Sequence, residues 1–104
     1  KVVVIRNEIL GMVGQWQRLF YSHHYSQSEL KGKTDLVKLA EAMGIRGYRL
    51  TEPEELETRL PAILAEPGAA LIDVYVPEEE DVLPMVPGGK RLDQMVLGKG
   101  AKKK

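Results

Sequence analysis

The chain has 104 residues, and its fifteen basic and fifteen acidic side chains cancel, so no overall field favours nucleic acid or an anionic membrane surface. Apolar residues make up 43% of it, but no apolar run approaches the roughly 20 residues of a membrane span, so a soluble globular piece is expected. The absence of cysteine excludes disulfides and thiolate metal sites, and the first residues do not read as a secretory leader.

Along the chain, Val2-Val3-Val4-Ile5 is a run of β-branched residues that suits a strand buried on both faces of a parallel sheet. Asn7 follows, just past the carboxyl end of that strand, where open α/β sheets bind ligands. A first helix then carries Val13, Trp16, Gln17 and Phe20 on one face, with Gly11 and Gly14 weakening its start. Residues 22–33 show no period and predict a mobile loop. A second helix starts near Thr34 or Asp35, turns Leu36, Leu39, Ala40 and Met43 inward, and stops at Gly44.

Residues 48–50 predict a short strand. Thr51-Glu52-Pro53-Glu54 reads as a capping box opening a third helix, with Leu56, Leu60, Ile63 and Leu64 as its apolar stripe. Pro61 removes a backbone donor inside that helix and predicts a kink or an early end. Residues 69–76 form the last strand, with Asp73 read as a strand-end or edge residue. The acidic run 78–81 reads as a solvated turn, and Val82 to Gly89 as an irregular segment. The Gly- and Lys-rich end, 98–104, predicts a disordered basic tail after a unit spanning 1–97. Alternating strands and helices imply an α/β fold: a partial three-layer parallel sheet of about three strands and three helices. Uncovered apolar strands at 2–5 and 69–76 predict self-association.

The order apolar strand, Asn7, Gly11-Met12-Val13, then Gln15-Trp16-Gln17 resembles the C-terminal, thiamine-diphosphate-binding domain of the acetolactate synthase large subunit. The resemblance continues through Leu19-Phe20-Tyr21, Tyr25-Ser26, residues 38–44, Leu71-Ile72-Asp73-Val74 and Leu83-Pro84-Met85-Val86-Pro87-Gly88-Gly89. It implies that this chain is half of a thiamine-diphosphate-binding fold, and that Asn7 and the Ile9 carbonyl bind magnesium. It also implies that Asn7, Ile9, Leu10, Gly11, Met12 and Val13 meet the cofactor, and that Trp16 walls the substrate pocket. A catalytic group is expected on another domain, none in this segment.

Several departures bear on that reading. The family's cofactor signature opens with Gly-Asp-Gly upstream, which does not occur here, so the 104 residues are expected to be an inactive segment of a larger subunit. Arg6 stands where the family has the first of two asparagines, a cation expected either to pair with diphosphate or to oppose magnesium. Gly14 replaces a residue that is often larger and is expected to loosen the helix before Trp16. By the same resemblance the parent condenses pyruvate with a second 2-keto acid and carries FAD. Its expected partners are the rest of the subunit, further copies and a regulatory subunit, in the cytoplasm or an organelle, with no nucleic acid and no membrane. The alternatives are a related thiamine-diphosphate decarboxylase or oxidase, or a non-catalytic folding or assembly fragment.

Overall fold

A computed structural model describes residues 1–32 and 34–98. Apart from Gly98, the basic tail expected over 98–104 lies outside them.

Three parallel strands, β1 (Val2–Arg6), β2 (Arg46–Leu50) and β3 (Ala70–Tyr75), form one sheet in the order β1-β3-β2. Between them run helices α1 (Gly11–Phe20), α2 (Leu36–Ala42), α3 (Pro53–Thr58) and α4 (Leu60–Ala65), and a 3-10 turn at Leu92–Gln94 follows. The α/β class and the partial three-layer sheet expected from the sequence are therefore present.

The register separates the two faces of the sheet. Ala70, Ile72 and Val74 of β3 lie on the same side as Tyr48 and Leu50 of β2, and Ile63 of α4 closes an apolar cluster with them, backed by Leu60. The opposite face carries Asp73 and Tyr75 alongside Arg6 of β1 and Arg49 of β2. Helix α2 lies over that second face at the separation a glycine permits: a Cβ on Gly47 would stand 2.9 Å from both the Cα and the carbonyl oxygen of Val37. Only the slender side of α2 reaches the sheet. Ala40 is buried, whereas Leu39 and Met43, expected inward, face solvent.

Local chemistry explains most boundaries. Asp35 caps α2 by accepting from Val37 and Lys38 N–H at 3.1 and 3.2 Å, and Gly44 takes φ +74° beyond its end. The capping box lies one residue later than expected, with Glu52 at the cap. The Glu55 carboxylate, one methylene longer than an aspartate's, reaches back to the N–H groups of Glu52 and Thr51 at 3.1 and 2.7 Å. Pro61 acts as predicted, because the third helix breaks at Arg59 and restarts as α4 with the proline in its first turn.

Two expectations about the strands fail. β1 is an edge strand rather than one buried on both faces, and Val2, Val3 and Ile5 are exposed. The apolar run fixes strand propensity, but what covers a strand is decided by elements far away in sequence. Asp73 is neither an edge nor a strand-end residue. It sits in the middle of the central strand and is fully buried, so β3 has both edges paired and the open edges belong to β1 and β2.

Candidate functional site

At the carboxyl end of β1, Asn7 leads into a tight reversal in which Glu8 takes φ +58°. The Asn7 Oδ1 accepts from Ile9 N–H at 3.4 Å, longer than a well-formed hydrogen bond, so this oxygen is only lightly held. Its Nδ2 lies against Gly11, where a Cβ would stand 3.0 Å away, so the glycine lets the amide seat on the helix start. Helix α1 opens at Gly11 with no side-chain cap, which leaves its first-turn N–H groups and the positive end of its dipole free.

The loop expected to be mobile is tied to this turn. Leu10 N–H donates to the Ser28 carbonyl and Leu30 N–H to the Glu8 carbonyl, both at 2.8 Å. The buried Ser28 hydroxyl donates to Gln17 Oε1. Trp16, with Val13, Gln17, Tyr21, Ser22, His24 and Ser26, lines an open cavity of about 530 Å³. The six residues expected at the cofactor are contiguous here, yet they point different ways. Asn7 and Gly11 meet, Val13 shares the cavity with Trp16, Leu10 and Met12 are exposed, and the Ile9 side chain is buried. Gly14, expected to loosen the helix, accommodates that side chain, since a Cβ there would overlap Ile9 Cδ1 at 2.4 Å.

Arg6 belongs to an ionic layer. Its Nε donates to Asp73 Oδ1 at 2.9 Å, and its Nη1 donates to Glu8 Oε1 and the Thr34 carbonyl, each at 2.9 Å. Arg49 approaches the other Asp73 oxygen at 3.4 Å and donates to Asp35 at 2.9 Å, while the Tyr75 ring lies beside both guanidinium groups. Burial opposes the Arg6 charge, but the bond to Glu8 and the field of Asp73 outweigh it and raise its pKa above the ordinary value. The Arg6 bond holds the Glu8 carboxyl below its usual range. The charge thought to oppose magnesium is thus matched by Asp73 and Glu8.

Sequence reasoning also missed Gln15 and Arg18. These are the buried polar residues of α1, and both hold the segment after β3. Gln15 Oε1 accepts from Val82 N–H at 2.7 Å, and its Nε2 donates to the Val82 carbonyl at 3.2 Å and meets Met85 Sδ at 2.9 Å. Arg18 pairs with Asp81, both nearly buried, and this hydrogen bond raises the arginine's pKa. Asp81 is therefore no solvated turn residue. The signal in the sequence was the stripe Gly14, Gln15, Arg18 opposite Val13, Trp16, Phe20; the helical period reveals two faces without saying which turns inward.

The arrangement offers two hard oxygens, Asn7 Oδ1 and the Ile9 carbonyl, beside an uncapped helix start. No group of three His, Cys, Asp or Glu able to hold a metal exists among the described residues. Hard, sparse oxygen ligands are the kind magnesium accepts, and an uncapped helix start is the kind of site that favours a phosphate, so the residues present fit both groups.

Residues 1–74 match the thiamine pyrophosphate enzyme, C-terminal TPP binding domain. The chain belongs to that family. This thiamine-pyrophosphate-enzyme domain is 44% identical over 96 residues to the mitochondrial acetolactate synthase catalytic subunit of Saccharomyces cerevisiae, covering 92% of the chain and 14% of that protein. It is 43% identical over 97 residues to the mitochondrial acetolactate synthase of Schizosaccharomyces pombe, covering 93% of the chain and 14% of the relative. With the acetolactate synthase isozyme 2 large subunit of Escherichia coli it shares 38% over 96 residues, 92% of the chain and 18% of the relative. The chain thus spans less than a fifth of the length of these relatives. Among the described residues no helix is long and apolar enough to cross a membrane.

Proposed function

We propose that this domain is the magnesium- and diphosphate-anchoring part of an acetolactate synthase that joins pyruvate to a second 2-keto acid. The observation that carries the reading is the seating of the Asn7 amide on Gly11, at the end of a parallel strand and the uncapped start of a helix. In the proposal Asn7 Oδ1 and the Ile9 carbonyl hold magnesium, the backbone of Gly11, Met12 and Val13 faces the diphosphate, and Leu10 shapes the approach. Thiamine diphosphate, once bound there, would supply the electron sink for decarboxylating a 2-keto acid. Trp16 and Val13 give an apolar wall to the space in which the second keto acid is oriented.

No residue of the segment is assigned to proton transfer, and the 104 residues alone are inactive in this reading because they lack the Gly-Asp-Gly turn. The rest of the catalytic subunit, further copies, a regulatory subunit and FAD complete the proposed enzyme, whose place is the cytoplasm or an organelle. Similarity to subunits named acetolactate synthase, at 38–44% identity, favours this reading over a related decarboxylase or a non-catalytic fragment.

Calorimetry tests it. In a complete subunit containing these residues, Asn7→Ala should weaken magnesium-dependent thiamine diphosphate binding by about 10–100-fold or more, as expected when a metal site loses a supporting group. Unchanged affinity would remove Asn7 from the site and the proposal with it.

A further inference from the structure

The apolar face of α1 points the wrong way for an ordinary surface helix. Val13, Trp16 and Phe20 are exposed, Trp16 at 47%, while Gly14, Gln15 and Arg18 are buried. Left to hydrophobic burial alone, a helix with this pattern would turn its apolar stripe toward the nearest apolar surface. Such a surface exists on the side that α1 now keeps buried, where Ile9 stands against Gly14 and Met85 against Gln15. Something therefore opposes that rotation.

We infer that Gln15 and Arg18 are positioning residues, which fix the rotation of α1 by binding residues 81–85 as a strap and so hold Trp16 toward the open cavity. The Gln15 amide does what a neighbouring strand would do, since its oxygen takes the Val82 N–H and its nitrogen gives to the Val82 carbonyl. One turn on, Arg18 is 6% exposed and Asp81 7%, and each neutralises the other. Turning α1 would bury the indole, but it would also strand a buried charge and a buried amide. An uncompensated buried charge is among the most unfavourable features a fold can carry, and that decides which face wins. Gly14 assists, because the Ile9 side chain occupies the place of its Cβ and interlocks the buried face with the Asn7 turn.

The importance of this orientation for a substrate rests on the reading of Trp16 as a pocket wall, but the test requires neither cofactor nor substrate and so stands or falls by itself. Trp16 is the only tryptophan in the chain, so its fluorescence reports the rotation directly. In Gln15→Met, which keeps side-chain length and helix propensity, the Val82 amide should exchange about tenfold faster with solvent, as expected for losing its acceptor. Under the same conditions Trp16 emission should move to shorter wavelength and its quenching by acrylamide should fall, because the released helix buries its apolar stripe. A role limited to stability predicts the reverse, a Trp16 that stays as it was below the melting transition or becomes more exposed as the chain opens. Either result overturns the inference. Should Gln15→Met lose its helical circular dichroism, Asp81→Asn decides, since it removes the strap's charge at unchanged volume and leaves α1 untouched. A blue shift there upholds the strap, and an unshifted or red-shifted Trp16 refutes it.

Discussion

On one side of β3, Ile72 and Val74 meet Leu50 and Ile63 in an apolar cluster; on the other, one residue along, Asp73 is enclosed by Arg6, Arg49 and Tyr75. The alternation of a strand puts these two environments back to back, a few ångströms apart. They differ in how they tolerate loss. The apolar side is non-directional, so a missing methyl leaves a cavity that neighbours partly fill, whereas the ionic side is stable only while each charge has its partner.

Removing the central carboxylate should produce the largest effect. Asp73→Ala removes the fully buried carboxylate and leaves Arg6, a mostly buried cation, with Glu8 as its remaining acidic partner, and a loss of about 3–5 kcal/mol is expected from breaking a buried pair. Ile72→Ala, at the same depth on the other face, should lose about 2–5 kcal/mol through transfer and cavity formation. Urea unfolding with a shared slope measures both. If Asp73→Leu proved as stable as the parent chain while Asp73→Ala did not, the ionic layer would be specifying geometry rather than adding stability.

A smaller effect sharpens the contrast between the two arginines. Arg49 is 38% exposed and its approach to Asp73 is long, so Arg49→Ala should change stability by no more than about 1 kcal/mol, typical of a solvent-screened pair. A loss matching that of Asp73→Ala would mean that both arginines are needed to neutralise the carboxylate.

The smallest effect is acid sensitivity. Glu8 is held below its ordinary range by Arg6, Asp35 chiefly by the Lys38 N–H, and Glu55 by the N–H groups of Thr51 and Glu52. A depressed folded pKa means the unfolded chain binds the proton more readily, so this contribution is complete above the ordinary carboxylate range. It is lost as pH falls through and below about 4, where unperturbed carboxylates titrate. Thermal melts from pH 7 down to 3 should show the fall, and Glu8→Gln, Asp35→Asn and Glu55→Gln together should flatten it. An unchanged slope would place the acid-sensitive groups elsewhere.

The features readable from sequence were local. Asp35 at its cap, Gly44 at its left-handed stop, and Pro61 as a breaker each act through atoms within a few residues, and the structure has all three. The strand-turn-helix around Asn7 was legible for the same reason. What escaped depends on distant partners: that β3 is central, that Arg6 turns to a carboxylate 67 positions away, and that Gln15 finds Val82 at the same separation. The hydrophobic period of α1 marks Val13, Trp16, Gln17 and Phe20 as one face but leaves open which side turns inward. A rule based on transfer free energy cannot foresee a strap that arrives after β3.

Gly47 carries a consequence that reaches beyond its own turn of chain. With Val37 backbone atoms 2.9 Å from where a Cβ would be, the gap between helix layer and sheet is dictated by a single absent methyl group. Asp35, at the head of that same helix, owes its reach to Arg49 to this gap. An alanine at 47 would act as a wedge, lifting the helix and lengthening a charge contact that the alanine itself never touches.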